Sequence, residues 1–471
     1  MPNKPSPTTE NLNKLIAFRQ AVYHDLGPAR DALFELADAA LLTPAPQSRA
    51  LAALALNPVF RRQWPSVYEA LQDGHPDRAA LLRQYARNLI VPSSPSFVSS
   101  LQTVGDGRLL LAGDHTAWPR LEARTLRERT IEHQPNPVPG AKPITVGQGF
   151  STVSWVPEAQ GSWALPLLHE RIPPTSSPLA YMAQQLGQVG EVLWAQAPEQ
   201  PAPIVLLDAE YGCAPFVKRL AAMPRRVVCL ARLRPNLVLR TTPPPYPGQG
   251  RPAVHGRKFK LKDARTWGTP TEELHLPETV WGEVVIRRWD DVHLSRAGGH
   301  PMTVIGLERP HAKGNRRDPR WLWLAWLQGM PADLTLAQAW PVYFRRYAQD
   351  HWYRFAKQSL FWTQPCLKTP EQAETWSDLM PLITWELWLA RPAVADQPLP
   401  WQKPQANAVM TPGRVRQSLA AVFATIGTPA QPPKPRGKSP GWPKGKPRTK
   451  APRYPIVRKT RKHGQKHHRK R

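Results

Sequence analysis

Residues 10–90 carry apolar side chains at spacings of three and four. The pattern runs through NKLIAFRQAVYHDL, ARDALFELADAALL, SRALAALALNPVFRRQW and PDRAALLRQYARNLI, and it predicts a set of amphipathic helices. Asp31, Ser48 and Asp77 stand where N-caps would fall. Residues 1–100 therefore read as a helical domain rich in arginine, either a packing module or a domain that binds DNA ends. After a Pro/Ser-rich joint at 92–100 the period changes. GRLLLAGD (107–114), ITVGQGFSTVSWV (144–156) and SWALPLL (162–168) read as strands, and LAYMAQQLGQVGEVLWAQ (179–196) reads as a helix. PIVLLD (203–208), GCAPFVKRLAAM and RRVVCLARL then predict strand, helix and strand. Such an order makes an α/β domain.

From about 235 to 310 the pattern is interrupted by a β-rich insertion. Its Pro- and Gly-containing start leads into ETVWGEVVIRRW and PMTVIGLE, with RWLWLAWL following as another strand-like run. Arg257, Lys258, Lys260 and Lys262 form a basic run there that faces either nucleic acid or plain solvent. Trp267, Trp281 and Trp289 either stack an unpaired base or fill a core. A helix is expected over Tyr343–Gln358 and another over Lys368–Arg391, the latter opened by Thr369 and Pro370. Residues 396–471 read as a disordered basic tail, since no acid follows Asp396 while 19 Lys or Arg do.

Charge narrows the class of partner. The chain of 471 residues carries a formal net charge of +28 and has a pI near 10.5, a field that attracts a polyanion. A membrane-surface protein is the rival, but no basic amphipathic helix stands out and no apolar run approaches the ~20 residues a membrane span needs. The first residues lack the apolar segment of a signal peptide. Three scattered cysteines (Cys213, Cys229, Cys366) support neither a disulfide framework nor a zinc site and fit a reducing cytoplasm.

Three acids are the candidate chemistry. Asp114 and Asp208 each end an apolar run, the place where an open α/β sheet presents its ligand-binding residues. If their two strands lie side by side, the carboxylates cluster, which divalent metal ions would make tolerable. Asp350 shares one face of the expected helix with Tyr343, Arg346 and Lys357, at offsets of three, seven and fourteen from Tyr343. An acid among three groups able to hold phosphate points to a metal site working on a phosphodiester. Glu210, two residues past Asp208, is a weaker rival ligand.

Taken together, Asp114, Asp208 and the run Y-x2-R-x3-D-x6-K resemble the DDE transposases of bacterial insertion sequences, and in particular the branch with a Tyr-Arg-Glu-Lys signature. The resemblance extends to GDHTAWPR, LLDAEYG and HWYRFAKQSLFWTQP and spans roughly residues 15–395. It implies an RNase H-like catalytic domain over 101–395, with Asp114, Asp208 and Asp350 binding two Mg²⁺ ions for which Mn²⁺ can substitute. It also implies that Tyr343, Arg346 and Lys357 contact DNA phosphates. The expected activity is cleavage at the terminal inverted repeats and joining of the 3′-hydroxyl to target DNA, by a homodimer assembled on DNA in the bacterial cytoplasm. One position departs from the branch, which carries Glu where this chain has Asp350. That departure keeps two alternatives open: a decayed or domesticated DNA-binding protein, and an RNase H-like nuclease without strand transfer.

Overall fold

A mixed sheet of twelve strands runs through the chain from residue 110 to 326 and sets the frame for everything else. The structure is a computed structural model. It describes residues 7–458 apart from 45–49, 91–102, 135–141, 225, 247, 316, 436–440, 442 and 448. The expected cap at Ser48, the Pro/Ser-rich joint and the last thirteen residues lie outside the described residues.

The first half of the sheet holds β1 (Leu110–Pro119), β2 (Thr130–His133), β3 (Ile144–Trp155), β4 (Leu165–Arg171), β5 (Ile204–Leu207) and β6 (Val228–Arg232). β3 is antiparallel to β1, and its other edge takes β4 and β2. β1 is parallel to β5, and β5 is parallel to β6. The order β4-β3-β1-β5-β6 is consistent with an RNase H-like core, and Asp114 lies on β1 while Asp208 directly follows β5. Between β4 and β5 lies α5 (Pro178–Gln196), capped by Ser177, whose hydroxyl accepts from the Ala180 N–H at 3.2 Å. Between β5 and β6 lies α6 (Ala214–Ala221). Both parallel pairs are thus joined through a helix, as parallel strands need.

The segment 235–310 adds β7 (Val238–Arg240), β8 (Lys258–Lys260), β9 (Glu272–Thr279), β10 (Gly282–Leu294) and β11 (Met302–Glu308). These strands do not form a separate body. β12 (Trp321–Trp326) pairs with both β6 and β11, so the insertion continues the same sheet through β10 to β7 and β8. The expected single strand ETVWGEVVIRRW is instead a hairpin. Its chain turns at Val280–Trp281, where Gly282 takes φ +79°, a conformation that favours glycine.

Among the described residues four α-helices precede the sheet: α1 (Pro7–Asp25), α2 (Arg30–Leu42), α3 (Pro65–Asp73) and α4 (Arg78–Ile90). The expected helix through SRALAALALNPVFRRQW is only a 3-10 turn over Leu51–Leu56 followed by an irregular stretch. There Arg61 and Arg62 are drawn to the buried Glu35, and that pull outweighs the weak helical period. Asp77 does cap α4, accepting the Ala80 N–H at 2.9 Å. Asp31 does not cap α2. Its carboxylate takes the Tyr23 hydroxyl and the Gln431 N–H.

After the sheet come α7 (Leu336–Ala339), a 3-10 turn over Pro341–Arg346, α8 (Tyr347–Gln358) and α9 (Pro370–Ala390). α9 is the spine of the molecule. Nearly every residue of its 21 is buried, and α1, α2, α3 and β4 all pack on it. Arg19 of α1, itself 2% exposed, bridges Asp38 of α2 at 2.9 Å and Glu386 of α9 at 2.8 Å. Arg78 of α4 reaches Asp378 at 2.8 Å, and Tyr85 stacks on Trp385. Residues 1–100 are helical in most of their described parts, and α9 joins them to the sheet in one continuous core.

Residues 396–435, expected within the disordered tail, fold as α10 (Pro412–Gln417), α11 (Ala420–Ile426) and their flanks. The cause is a small apolar set: Met410, Val415, Leu419, Val422 and Phe423 are buried in the main core, and Arg414 is paired with Asp396. Further on, the main chain at Tyr454 and Val457 hydrogen-bonds to Arg124 and Arg129 beside β2. Among the described residues no helix is long and apolar enough to cross a membrane.

Candidate active site

The register places the first two acids. Gly113 of β1 pairs with Leu207 of β5, so the next residue on each chain, Asp114 and Asp208, falls side by side. Both share parity with Leu110, Ile204 and Leu206. Those residues belong to the smaller core, which Trp340, Val342 and Tyr343 cover. The expectation that Asp114 ends its strand needs correction. β1 continues to Pro119, and Asp114 lies at its middle, because Thr116 to Pro119 keep pairing with β3. Asp208 does follow its strand directly. Its Oδ1 accepts the Glu210 N–H at 2.9 Å, which makes the turn out of β5. Glu210 therefore belongs to that turn and not to the start of a helix, and its carboxylate faces His115 Nε2 at 3.5 Å. His115 Nδ1 in turn lies 3.0 Å from the buried Tyr211 hydroxyl.

The third acid arrives on α8, but Tyr343 and Arg346 do not share that helix. They sit on the 3-10 turn ahead of it, which Pro341 opens. The expected single helical face is thus broken at Arg346, though the four residues still converge. Arg346 lies between two acids, 3.5 Å from Asp114 Oδ2 and 3.2 Å from Asp350 Oδ2. The Asp114 side chain is 15% exposed and that of Asp350 is 42% exposed. Tyr343 is buried in the smaller core. Lys357 Nζ donates to Thr116 Oγ1 at 2.7 Å, two residues beyond Asp114 on the same face of β1.

Burial governs the electrostatics. It pushes the Asp114 carboxyl up to about 7, with Arg346 opposing and Asp208 and Asp350 adding to the rise. Burial also lowers Lys357 to about 8 against the pull of Asp114. The Tyr343 phenol is pushed up to about 12 by burial. Burial works against the charge of Arg346, yet Tyr343, Asp114, Asp350 and Asp208 together hold it above its usual value. The site is therefore a partly buried carboxylate cluster in which a guanidinium pairs with two of the acids and the Lys357 ammonium stands nearby.

Whether a divalent ion fits follows from the donors. Among the described residues no group of three His, Cys, Asp or Glu stands ready to hold one ion. Asp114 and Asp208 are adjacent hard oxygen donors, and the high pKa of Asp114 marks a carboxylate that a metal would stabilise. Arg346 stands in as the cation between Asp114 and Asp350. The donor chemistry fits, and bringing Asp350 to the pair requires Arg346 to release it.

Other expected site residues lie apart. In the run that contains β8, Lys258 and Lys262 are exposed and Lys260 is half-buried, while Phe259 and Leu261 between them are buried. Alternation thus turns the cations outward. Arg257 is exposed just before them. Trp289 is core, and Trp267 packs against Trp321 and Trp323. Trp281 stands over Phe344 with ring centroids 4.1 Å apart and lines a cleft of about 240 Å³ with Arg232, Leu307 and Tyr347.

Two residues of the site escape a reading of motifs. Tyr353 is buried, with its hydroxyl 3.0 Å from the Asp114 carbonyl oxygen and 2.9 Å from Thr152 Oγ1. Thr152 is the cross-strand partner of Asp114. The spacing of Asp350, Tyr353 and Lys357, three and then four residues, was a signal for Tyr353. Nothing in the sequence marked Thr152.

A strand pair that presents adjacent acids beside a helix with a third is consistent with the class of nucleases built on an RNase H-like core. The chain belongs to the DDE superfamily endonuclease family, which it matches over residues 21–290. That span covers more than half of the chain and includes Asp114 and Asp208, but it ends before Asp350. No curated protein matches the chain. Among solved structures it is similar to a piggyBac transposase in a synaptic complex with hairpin DNA. The identity is 10% and the TM-score 0.37, over 89% of this chain and 80% of that one.

Proposed function

We propose that this chain is a transposase of insertion-sequence type, acting at terminal inverted repeats. It would cleave DNA there and join the freed 3′-hydroxyl to a target duplex. The observation that carries this reading is the placing of Asp114 beside Asp208 on parallel neighbours, with Asp350 joined to Asp114 through Arg346. Asp114, Asp208 and Asp350 would hold two Mg²⁺ ions. When bound, such ions activate the attacking hydroxyl and stabilise the leaving oxygen in an in-line displacement.

The chain's own residues do the rest. Arg346 offers a planar fork suited to a phosphate, so a DNA strand entering the site competes with Asp114 and Asp350 for it. Releasing Arg346 to phosphate frees both carboxylates for metal. Lys357, held by Thr116, gives a point charge on the same face as Asp114. Tyr343 backs the Arg346 side chain from the core. Arg257, Lys258, Lys260 and Lys262 extend the phosphate-binding surface along the far edge of the sheet. Two copies acting on paired ends complete the proposed assembly.

A second reading has one observation in its favour. Asp350 is a methylene shorter than the Glu of the branch it resembles, and here it is bound to Arg346, not turned toward Asp208. A DNA-binding protein without catalysis would keep such an arrangement. The test is nicking and joining of the element's own end sequence in Mg²⁺ or Mn²⁺. The expected result is cleavage by the wild-type protein and its loss, with DNA binding retained, in Asp208→Asn. Wild-type protein that binds the ends but leaves them intact rules out the enzyme.

A further inference from the structure

The core beside the acids holds a short polar wire that crosses four elements: α8, β1, β3 and β4. The Tyr353 hydroxyl lies 3.0 Å from the Asp114 carbonyl oxygen and 2.9 Å from Thr152 Oγ1, and Thr152 Oγ1 lies 2.8 Å from His169 Nδ1. His169 is 2% exposed and stands among Phe150, Trp352 and Trp362, with its ring centroid 4.5 Å from that of Trp362. Its Nε2 has no hydrogen-bond partner among the described residues.

Proton counting gives the wire a direction. A carbonyl oxygen only accepts, so Tyr353 gives its single proton to Asp114. With the Tyr353 proton on the Asp114 carbonyl, the hydroxyl of Thr152 would turn its proton to Tyr353 and accept a hydrogen bond from His169 Nδ1–H. This arrangement predicts the Nδ1–H tautomer at His169, with Nε2 as a bare lone pair. The opposite tautomer would bury an N–H with no acceptor and would leave one of the two oxygen contacts of Tyr353 without a proton. A ring so buried stays neutral: burial, then Lys357 and Arg78, lowers its pKa to about 3.

We propose that Tyr353 is a positioning residue for the acids, and that Thr152 and His169 act through it. The wire fixes α8 against β1 at Asp114 itself. Asp350 lies three residues before Tyr353 and Lys357 four after it, so one hydroxyl sets the reach of both toward the Asp114–Asp208 pair. The inference rests on the reading of these acids as a metal site.

The test uses the full chain with Tyr353→Phe, Thr152→Val and the double variant. Phe keeps the ring that packs in the core, and circular dichroism checks that each variant folds. End nicking should fall about 10–100-fold in Tyr353→Phe, with affinity for DNA in EDTA unchanged. The double variant should be no worse than the more affected single, because residues of one wire act as a unit. Mn²⁺ binding, followed by calorimetry, should weaken over a similar range. Nitrogen-15 spectra of histidine-labelled protein should show the Nδ1–H tautomer at His169 and a change at that ring in Tyr353→Phe. Wild-type Mn²⁺ affinity in Tyr353→Phe overturns the proposal, and so does an Nε2–H tautomer in the parent protein. If the parent protein never nicks DNA, the functional reading fails, while Mn²⁺ binding and the tautomer still decide the role of the wire.

Discussion

Replacing Asp114 by Asn should stabilise the metal-free protein at alkaline pH. In the unfolded chain an Asp releases its proton near pH 3.9. In the folded chain burial and the neighbouring acids hold the Asp114 proton until about pH 7. Between these values the folded state binds a proton that the unfolded state has lost. Stability from this group is therefore fully present below about pH 4, declines as pH rises, and is gone above about pH 7. At roughly 1.4 kcal/mol for each pKa unit, the penalty on the ionised form is on the order of 4 kcal/mol, softened by relaxation around Arg346. Asn is neutral throughout and escapes it. Urea unfolding in EDTA should give similar midpoints for the two proteins near pH 4–5 and a higher midpoint for Asp114→Asn near pH 8–9. Adding Mg²⁺ should recover the wild-type protein alone, since binding to the folded state adds stability by mass action. A difference between the proteins that stays constant from pH 5 to 9 would refute the reasoning.

Arg19→Met should cost about 3–5 kcal/mol in urea unfolding, because it leaves Asp38 and Glu386 buried without their cation. Adding Glu386→Gln should return part of the loss. Changing Lys258, Lys260 and Lys262 together to Gln should lower the slope of log affinity against log salt for duplex DNA by about 2–3, as each lost phosphate contact removes about 0.9. An unchanged slope in an anisotropy titration would show that this run faces only solvent.

Much of the fold is legible because it rests on local patterns. β1, β3, β4, β5 and β6 are apolar runs between turn signals, and α9 begins at a Thr-Pro pair that caps it. Where local patterns misled, contacts distant in sequence decide. Asp350, Tyr353 and Lys357 keep their helical spacing, but Pro341 and the smaller core turn Tyr343 and Arg346 into a tighter coil. The Val280–Trp281 turn is hidden in an apolar-rich run because Trp281 packs outside its strand, against Trp340 and Phe344. Residues 396–435 look like a tail by composition, yet five apolar side chains suffice to dock them. In the site, the acids carried their own signal. The bond from Arg346 to two of them did not, because it depends on how the turn ahead of α8 aims one side chain. Thr152 is silent for a similar reason, since its place opposite Asp114 is a matter of register.

The buried bridge from Arg19 to Glu386 joins residues 367 positions apart. On a ribosome adding ~5–20 residues per second, roughly 20–70 s separate the two ends of that bond. For all that time α1 to α4 have no spine to cover their apolar faces, and Arg19 has Asp38 but not Glu386. The amino-terminal helices are made first and finished last. Fragments that stop before α9 should therefore be chaperone clients or aggregates, and synthesis rate, not only sequence, becomes a determinant of yield for this chain.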